Sequence, residues 1–236
     1  MKTVDVLAIM AHPDDVEITC GGLMIKMADL GYKTGILDLT RGEMGTKGTP
    51  KTRLKEAAAA ARIMGLTARE NAGLPDSRLT LNNDSRDAVA TFIRRLKPKM
   101  TIIPPGDQRH PDHNAAGEIA YAGIFAAGLK KYPVKGKAHR PDQILYATSF
   151  QQTKSSFYVD ITDQMDRKLN SVAAYESQFA EGAPKIYVPD QDLDSFMLFW
   201  ARCYGSRCGV KYAEAYAIKE SMRIEDPIKE LRLKSV

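Results

Sequence analysis

Cysteine, histidine and long apolar runs are all scarce in this chain of 236 residues. The cysteines, Cys20, Cys203 and Cys208, are odd in number and form no Cys-x-x-Cys pair, so neither a disulfide framework nor a cysteine zinc knuckle fits. They read as reduced thiols in a cytoplasmic protein. The longest stretch free of charged or strongly polar side chains covers residues 119–129, well short of the ~18–20 residues a bilayer-crossing helix needs. An export signal is not expected, because Asp5 interrupts the start and the short apolar segment behind it runs into His12-Pro13-Asp14-Asp15. A dominant charge is missing too, since 34 Lys+Arg against 29 Asp+Glu leave a net +5. The densest basic group, Lys130, Lys131, Lys135, Lys137 and Arg140, is broken by Pro133 and Gly136. It reads as a solvated loop and not as a nucleic-acid surface. The mild excess suits a small anionic substrate.

What is present is ordinary globular material, 44% apolar and 27% charged, which excludes disordered and fibrous classes. Apolar runs alternate with helical patterns. Strands are expected over residues 4–10, 34–40, 100–104, 143–148, 157–161 and 212–218. Helices are expected over residues 21–30, 49–64, 84–96, 114–131, 163–179 and 194–203, with Gly31, Gly65 and Pro98 as stop signals. This alternation implies βαβ units, hence a single Rossmann-like α/β domain over residues 1–236, its sheet mostly parallel and covered by helices on both faces. No Pro/Ser-rich linker and no internal repeat divides the chain. Ligands of such folds bind beyond the carboxyl ends of the strands, where the strand order reverses.

Three of the four histidines lie in two related tetrapeptides, His12-Pro13-Asp14-Asp15 and His110-Pro111-Asp112-His113. Each follows an expected strand and precedes an expected helix, which places both at the carboxyl edge of the sheet. One such motif is adequately explained as a turn, with proline setting φ and aspartate capping the next helix. Two at equivalent points favour metal binding. Catalytic zinc takes three nitrogen or oxygen ligands and leaves a position for water, whose pKa it brings to ~7. His12, Asp14, Asp15 and His110 or His113 offer more than three ligands, so some are left for catalysis. Ligand type suits Zn2+, with Fe2+ or Mn2+ also compatible. It does not choose between His110 and His113.

The stretch Ala11-His12-Pro13-Asp14-Asp15-Val16-Glu17, with Gly21-Gly22 behind it and His110-Pro111-Asp112-His113 downstream, resembles the PIG-L/LmbE-like zinc deacetylases. Thr40-Arg41-Gly42-Glu43-Met44-Gly45-Thr46, Thr52-Arg53-Leu54-Lys55-Glu56-Ala57 and Gly209-Val210-Lys211-Tyr212-Ala213-Glu214-Ala215 extend the likeness. They most resemble the branch acting on N-acetylglucosaminyl-malate in bacillithiol biosynthesis. The resemblance implies His12, Asp15 and His113 as zinc ligands and Asp14 as general base. It implies His110 as the group that stabilises the oxyanion, with the Asp112 carboxylate orienting its imidazole in charged form. It also implies a homo-oligomer, commonly a hexamer, acting on a small N-acetylated glycoconjugate, with no nucleic acid or membrane as partner.

Arg53 reads as a solvated helix-surface residue or, by the resemblance, as a substrate contact for an anionic aglycone such as malate. Arg109 is a second substrate candidate, while His139 and Arg140 read as surface residues. The glycine-rich stretch 42–48 matches no phosphate-binding motif and suggests a mobile substrate loop. Glu17 is expected to favour the positive end of the first helix. Cys20, near the same helix start, is a candidate for a lowered pKa. Phe196, Phe199, Trp200 and Tyr204 read as helical core or a subunit contact. Some relatives use a late-loop tyrosine on the substrate carbonyl; residues 187–196 are the region here, and no match stands out. Thr19, where relatives often have a smaller residue, suggests a local packing effect. The competing readings are a deacetylase of another N-acetylated sugar or antibiotic precursor, and a metal- or nucleic-acid-binding module without catalysis.

Overall fold

In the computed structural model, which describes residues 3–148, 150, 154–179 and 192–226, the first apolar run forms β1 (Val6–Met10), buried throughout. β2 (Thr34–Asp38) is equally buried and runs parallel to it, with Val6 opposite Thr34. On the other flank of β1 lies β4 (Met100–Ile103), also parallel, with Val6 opposite Met100. β3 (Ala68–Asn71) extends the sheet beyond β2, and β5 (Gln143–Ala147) extends it beyond β4. β7 (Ala213–Ala217) and β6 (Phe157–Asp160) finish it with antiparallel pairings. The strand order is β3-β2-β1-β4-β5-β7-β6. Strands covered on both faces need no polar alternation, which is why β1 is a continuous apolar run and β2 is buried along its whole length.

Helices cover both faces, as the alternation of elements implied. α3 (Asn83–Leu96) and α4 (Pro111–Ala127) lie on one, where Val89, Ile93 and Ile119 share a core with Leu7, Ile9 and Leu37. α1 (Asp15–Asp29) and α2 (Pro50–Met64) contribute Met24, Ile25 and Met64 to the core over Val6, Ala8 and Ile36 on the other. α5 (Met165–Ala173) packs on α1 and α2, followed by the short α6 (Glu176–Phe179) and by α7 (Leu193–Cys208) against β7. Local chemistry sets the ends. Thr49 accepts from the Thr52 amide ahead of Pro50, and Gly65, at φ +73, closes α2. Asn82 and Ser85 form a reciprocal capping box for α3. No helix among the described residues is long and apolar enough to cross a membrane.

Beyond shifts of a few residues at helix ends, as in α4 and α7, the elements differ from the expected ones in three places. β3 was not foreseen, because its residues Arg69, Glu70 and Asn71 are polar and it sits at the sheet edge. The helix expected over 21–30 is the second half of α1, which begins at Asp15 and leaves helical geometry at Cys20 (φ −136, ψ 17). The Glu214 carboxylate fills that break, accepting the Gly22 and Leu23 amides at 2.8 Å each. A Cβ on Gly22 would lie 2.9 Å from Glu214 Oε1, so glycine is what lets the carboxylate approach. The helix expected over 163–179 breaks near Ala174, where Tyr175 turns inward and is fully buried with Ala57 and Ala60.

The basic loop after α4 is solvated as expected, yet it is organised by a buried cation. Arg94, 3% exposed, donates to the carbonyls of Ala127 (3.0 Å), Leu129 (2.7 Å), Tyr132 (3.2 Å), Val134 (2.6 Å) and Gly136 (3.2 Å). Removing it strands several buried acceptors. Arg94→Ala is expected to cost about 3 kcal/mol. In thermal unfolding that is a Tm loss of about 6–12 °C. Arg94→Lys should recover less than half of it, because an ammonium cannot span the same set of carbonyls.

Candidate active site

β1 and β4 are neighbours although α1, β2, α2, β3 and α3 separate them in the chain. Their following loops therefore emerge side by side at the carboxyl edge, where the strand order reverses. The ring centroids of His12, His110 and His113 lie 5.1, 5.4 and 4.8 Å apart pairwise. Asp15 stands between two of them, with Oδ2 3.4 Å from His12 Nδ1 and Oδ1 3.2 Å from His113 Nε2. One donor atom from each of His12, Asp15 and His113 falls within a 4.8 Å span. Two imidazoles and a carboxylate at that spacing fit a divalent metal ion. Burial opposes ionisation of Asp15, but His113 and His12 hold its carboxyl well below the usual range.

Asp14 occupies the N-cap position of α1 at φ 113, a left-handed conformation, and its side chain does not cap the helix. The carboxylate instead accepts from Arg53 Nη2 at 3.0 Å, and the same nitrogen bonds the Pro13 carbonyl. Burial pushes the Asp14 pKa up to about 7, with Arg53 opposing the rise and Asp15 adding to it. Arg53 itself is 4% exposed, which removes the reading of a solvated helix-surface arginine.

Asp112 departs from expectation. Its Oδ2 accepts the Ser77 amide at 2.7 Å and lies 3.4 Å from His12 Nε2, so the carboxylate serves His12 and not His110. His110 is met instead by the Asp112 amide, which donates to its Nδ1 at 3.2 Å. That bond leaves Nε2–H as the donor of a neutral ring. Partial burial, with His113 and His12 nearby, also lowers the His110 pKa, so the charged form expected for it is not favoured.

Asp76 was missed. Its Oδ1 lies 3.0 Å from His12 Nε2 and its Oδ2 accepts the Met44 amide at 2.8 Å. Burial opposes protonation of His12, but Asp15 and Asp76 outweigh it and push its pKa up to about 11. A signal existed, because Pro75-Asp76 repeats the Pro-Asp step of both histidine motifs. The strand that delivers it, β3, was the one not foreseen.

These groups line a cavity of about 570 Å³. Arg109 lines it too and makes no ion pair among the described residues. The stretch 42–48 forms part of the wall and is tied down: Glu43 Oε1 accepts the Asp76 amide at 3.0 Å, and Gln178 Nε2 donates to the Lys47 carbonyl at 2.7 Å. Phe196, expected in a helical core or a subunit contact, lines the cavity with Phe150 and Phe179, and Trp200 packs against it at 6.4 Å. Tyr187 lies outside the described residues. Thr19 bonds the Asp15 carbonyl at 2.6 Å, and His139 meets the Pro98 carbonyl at 2.7 Å away from the site. Glu17 is fully buried and pairs with Arg69 at 2.5 Å, so it does not act through the helix end. A larger, apolar groove of about 980 Å³ between α1, α4 and residues 218–224 contains none of the three histidines.

A family model described as PIG-L, GlcNAc-PI de-N-acetylase, matches residues 7–124. Diacetylchitobiose deacetylase of Thermococcus kodakarensis is 31% identical over 89% of this chain and 80% of its own length. A probable N-acetyl-alpha-D-glucosaminyl L-malate deacetylase 2 of Bacillus subtilis is 26% identical over 73% of this chain and 82% of its own. The crystal structure of a conserved protein from Thermus thermophilus superposes with a TM-score of 0.87 at 38% identity, covering 94% of this chain and 98% of that one.

Two measurements test this geometry. Asp76→Ala removes the carboxylate nearest His12 Nε2 and should weaken Zn2+ binding about 10–100-fold in chelator competition. Burial pushes the Cys20 thiol far above its ordinary pKa, so native protein should label only at Cys203 and Cys208, and at all three cysteines once denatured.

Proposed function

The chain belongs to the PIG-L de-N-acetylase family, and on that footing we propose that it hydrolyses the N-acetyl group of an N-acetylglucosamine-type substrate. The observation that carries this is the convergence of His12, Asp15 and His113 with Asp14 beside them in one cavity. His12, Asp15 and His113 would hold a divalent ion, which we take to be Zn2+, and when bound it would supply Lewis acidity for the hydrolysis. Asp14 accepts the proton of the attacking water and returns it to the departing amine nitrogen. His110 offers its Nε2–H to the oxyanion as a neutral donor, held by the Asp112 amide on Nδ1. Asp76 and Asp112 face His12 Nε2, which turns Nδ1 towards Asp15.

For the aglycone, the motif segments and Arg109, without an ion pair among the described residues, favour the malate of bacillithiol biosynthesis. The engagement of Arg53 and the phenylalanines of the wall favour a neutral second sugar, the reading we adopt. Arg53, the cation expected to meet malate, is engaged by Asp14 and Pro13. The outer wall carries Phe150, Phe179 and Phe196, apolar faces suited to a pyranose ring. A homo-oligomer, as the resemblance implies, in the cytoplasm, as an odd cysteine count without a Cys-x-x-Cys pair suggests, completes the proposal.

The test is acetate release from diacetylchitobiose, N-acetylglucosaminyl-malate and N-acetylglucosamine by Zn2+-loaded protein. Release should stop with chelator and resume with Zn2+. Asp14→Asn should lose at least about a hundredfold in kcat while still binding Zn2+. Near-normal turnover would remove Asp14 as the base, and no release from any of the three would remove the deacetylase reading. Faster release from the malate conjugate than from diacetylchitobiose would overturn the preference for a neutral sugar.

A further inference from the structure

Behind the candidate site lies a buried ionic cluster that the proposed chemistry does not use. Glu17 Oε1 is 2.5 Å from Arg69 Nη1 and accepts the Tyr175 hydroxyl at 2.9 Å. Arg69 also grips Asp38 with two bonds, Nε to Oδ2 at 2.8 Å and Nη2 to Oδ1 at 3.0 Å. The Tyr175 ring lies 5.5 Å from the Arg53 guanidinium carbon and 6.0 Å from that of Arg69. Glu17, Asp38 and Tyr175 are all at most 2% exposed.

The cluster grips the first turn of a kinked helix. Because α1 leaves helical geometry at Cys20, residues 15–19 form a turn set off from the longer half behind it. At the head of that turn Asp14 sits at φ 113 with no side-chain cap. A non-glycine residue in such a conformation is strained and persists only where its surroundings over-determine it. Here the holding contacts come from both sides. Arg53 reaches Asp14 and the Pro13 carbonyl, and Glu17, three residues on in the first turn of α1, is anchored by Arg69 and Tyr175.

We propose that Glu17 is a positioning residue, whose buried pairing with Arg69 and Tyr175 sets the turn that presents Asp15 to His12 and His113 and keeps Asp14 beside them. This rests on the metal-site reading above, and only its catalytic consequence rests on the deacetylase reading. A buried ion pair that served stability alone would lower Tm and leave the site's properties unchanged.

The experiment measures Zn2+ affinity by competition with a chromophoric chelator, together with kcat, KM and Tm. Glu17→Gln keeps size and an acceptor oxygen but removes the charge that faces Arg69. It should weaken Zn2+ binding about tenfold or more and lower kcat by a similar factor with KM within about twofold. Tyr175→Phe deletes only the hydroxyl and should give a smaller change in the same direction. Ile93→Ala, a core change in α3 remote from the site, should lower Tm without moving Zn2+ affinity. Wild-type Zn2+ affinity in both Glu17→Gln and Tyr175→Phe would overturn the proposal, as would an equal weakening in Ile93→Ala. Should Glu17→Gln fail to fold, the Tyr175→Phe affinity decides alone. Wild-type protein that releases no acetate would remove the deacetylase reading, and the affinity comparison would still decide the role of Glu17.

Discussion

The site depends on one pairing, the parallel contact of β1 with β4. The chain leaves β1, builds two further strands on one flank, and returns to open the other flank with β4. Two loops nearly a hundred residues apart in sequence are thereby brought to the same edge. A parallel sheet aims both in one direction, and its burial beneath helices on both faces makes a slip of register costly. The histidine triangle follows from that arrangement and not from any property of the loops alone.

Negative charge is concentrated around His12 to a degree that proteins rarely tolerate without compensation. Asp15 faces one ring nitrogen, Asp76 and Asp112 face the other, and Asp14 adds its field. Without a metal ion, protonation of His12 offsets part of this repulsion, and a divalent cation offsets more of it. Positive charge is supplied from outside the ligand set, by Arg53 against Asp14 and by Arg69 against Glu17 and Asp38. Burying such pairs is expensive, so their placement around a single turn points to geometry more than to stability. The Lys168–Glu214 pair at the break in α1 has the same character, since Glu214 accepts two amides, an ammonium and the Tyr216 hydroxyl.

Much of the fold was legible because its strongest elements carry strong local signals. β1 is an apolar run, β2 and β4 are short segments with adjacent apolar residues, and α2 and α3 begin at real capping residues. β3 was not legible, because an edge strand made of Arg69, Glu70 and Asn71 buries side chains in ion pairs instead of apolar contacts. The single helix expected over 163–179 was equally opaque, since its break depends on a pocket for Tyr175 built by Ala57 and Ala60 of another helix. At the site, both histidine motifs could be read directly. Arg53 on Asp14 and Phe196 on the cavity wall could not, because each acquires its role from residues distant in sequence, and Asp76 offered only its Pro-Asp step while its partner His12 lies far off in the chain.

Taken alone, the order of residues determined the class of fold, the two histidine–aspartate motifs and the family resemblance. These rest on short-range features: periodicity, turn chemistry and the juxtaposition of histidine with aspartate. Tertiary structure decided which carboxylate serves which imidazole, giving Asp112 and Asp76 to His12 and leaving His110 a backbone amide. It also decided that Arg53 lies against Asp14 and is not free to meet an anionic substrate. The division has a physical cause. Propensity and patterning act over a few residues, whereas the partner of a buried charge is chosen by desolvation across the whole packed interior.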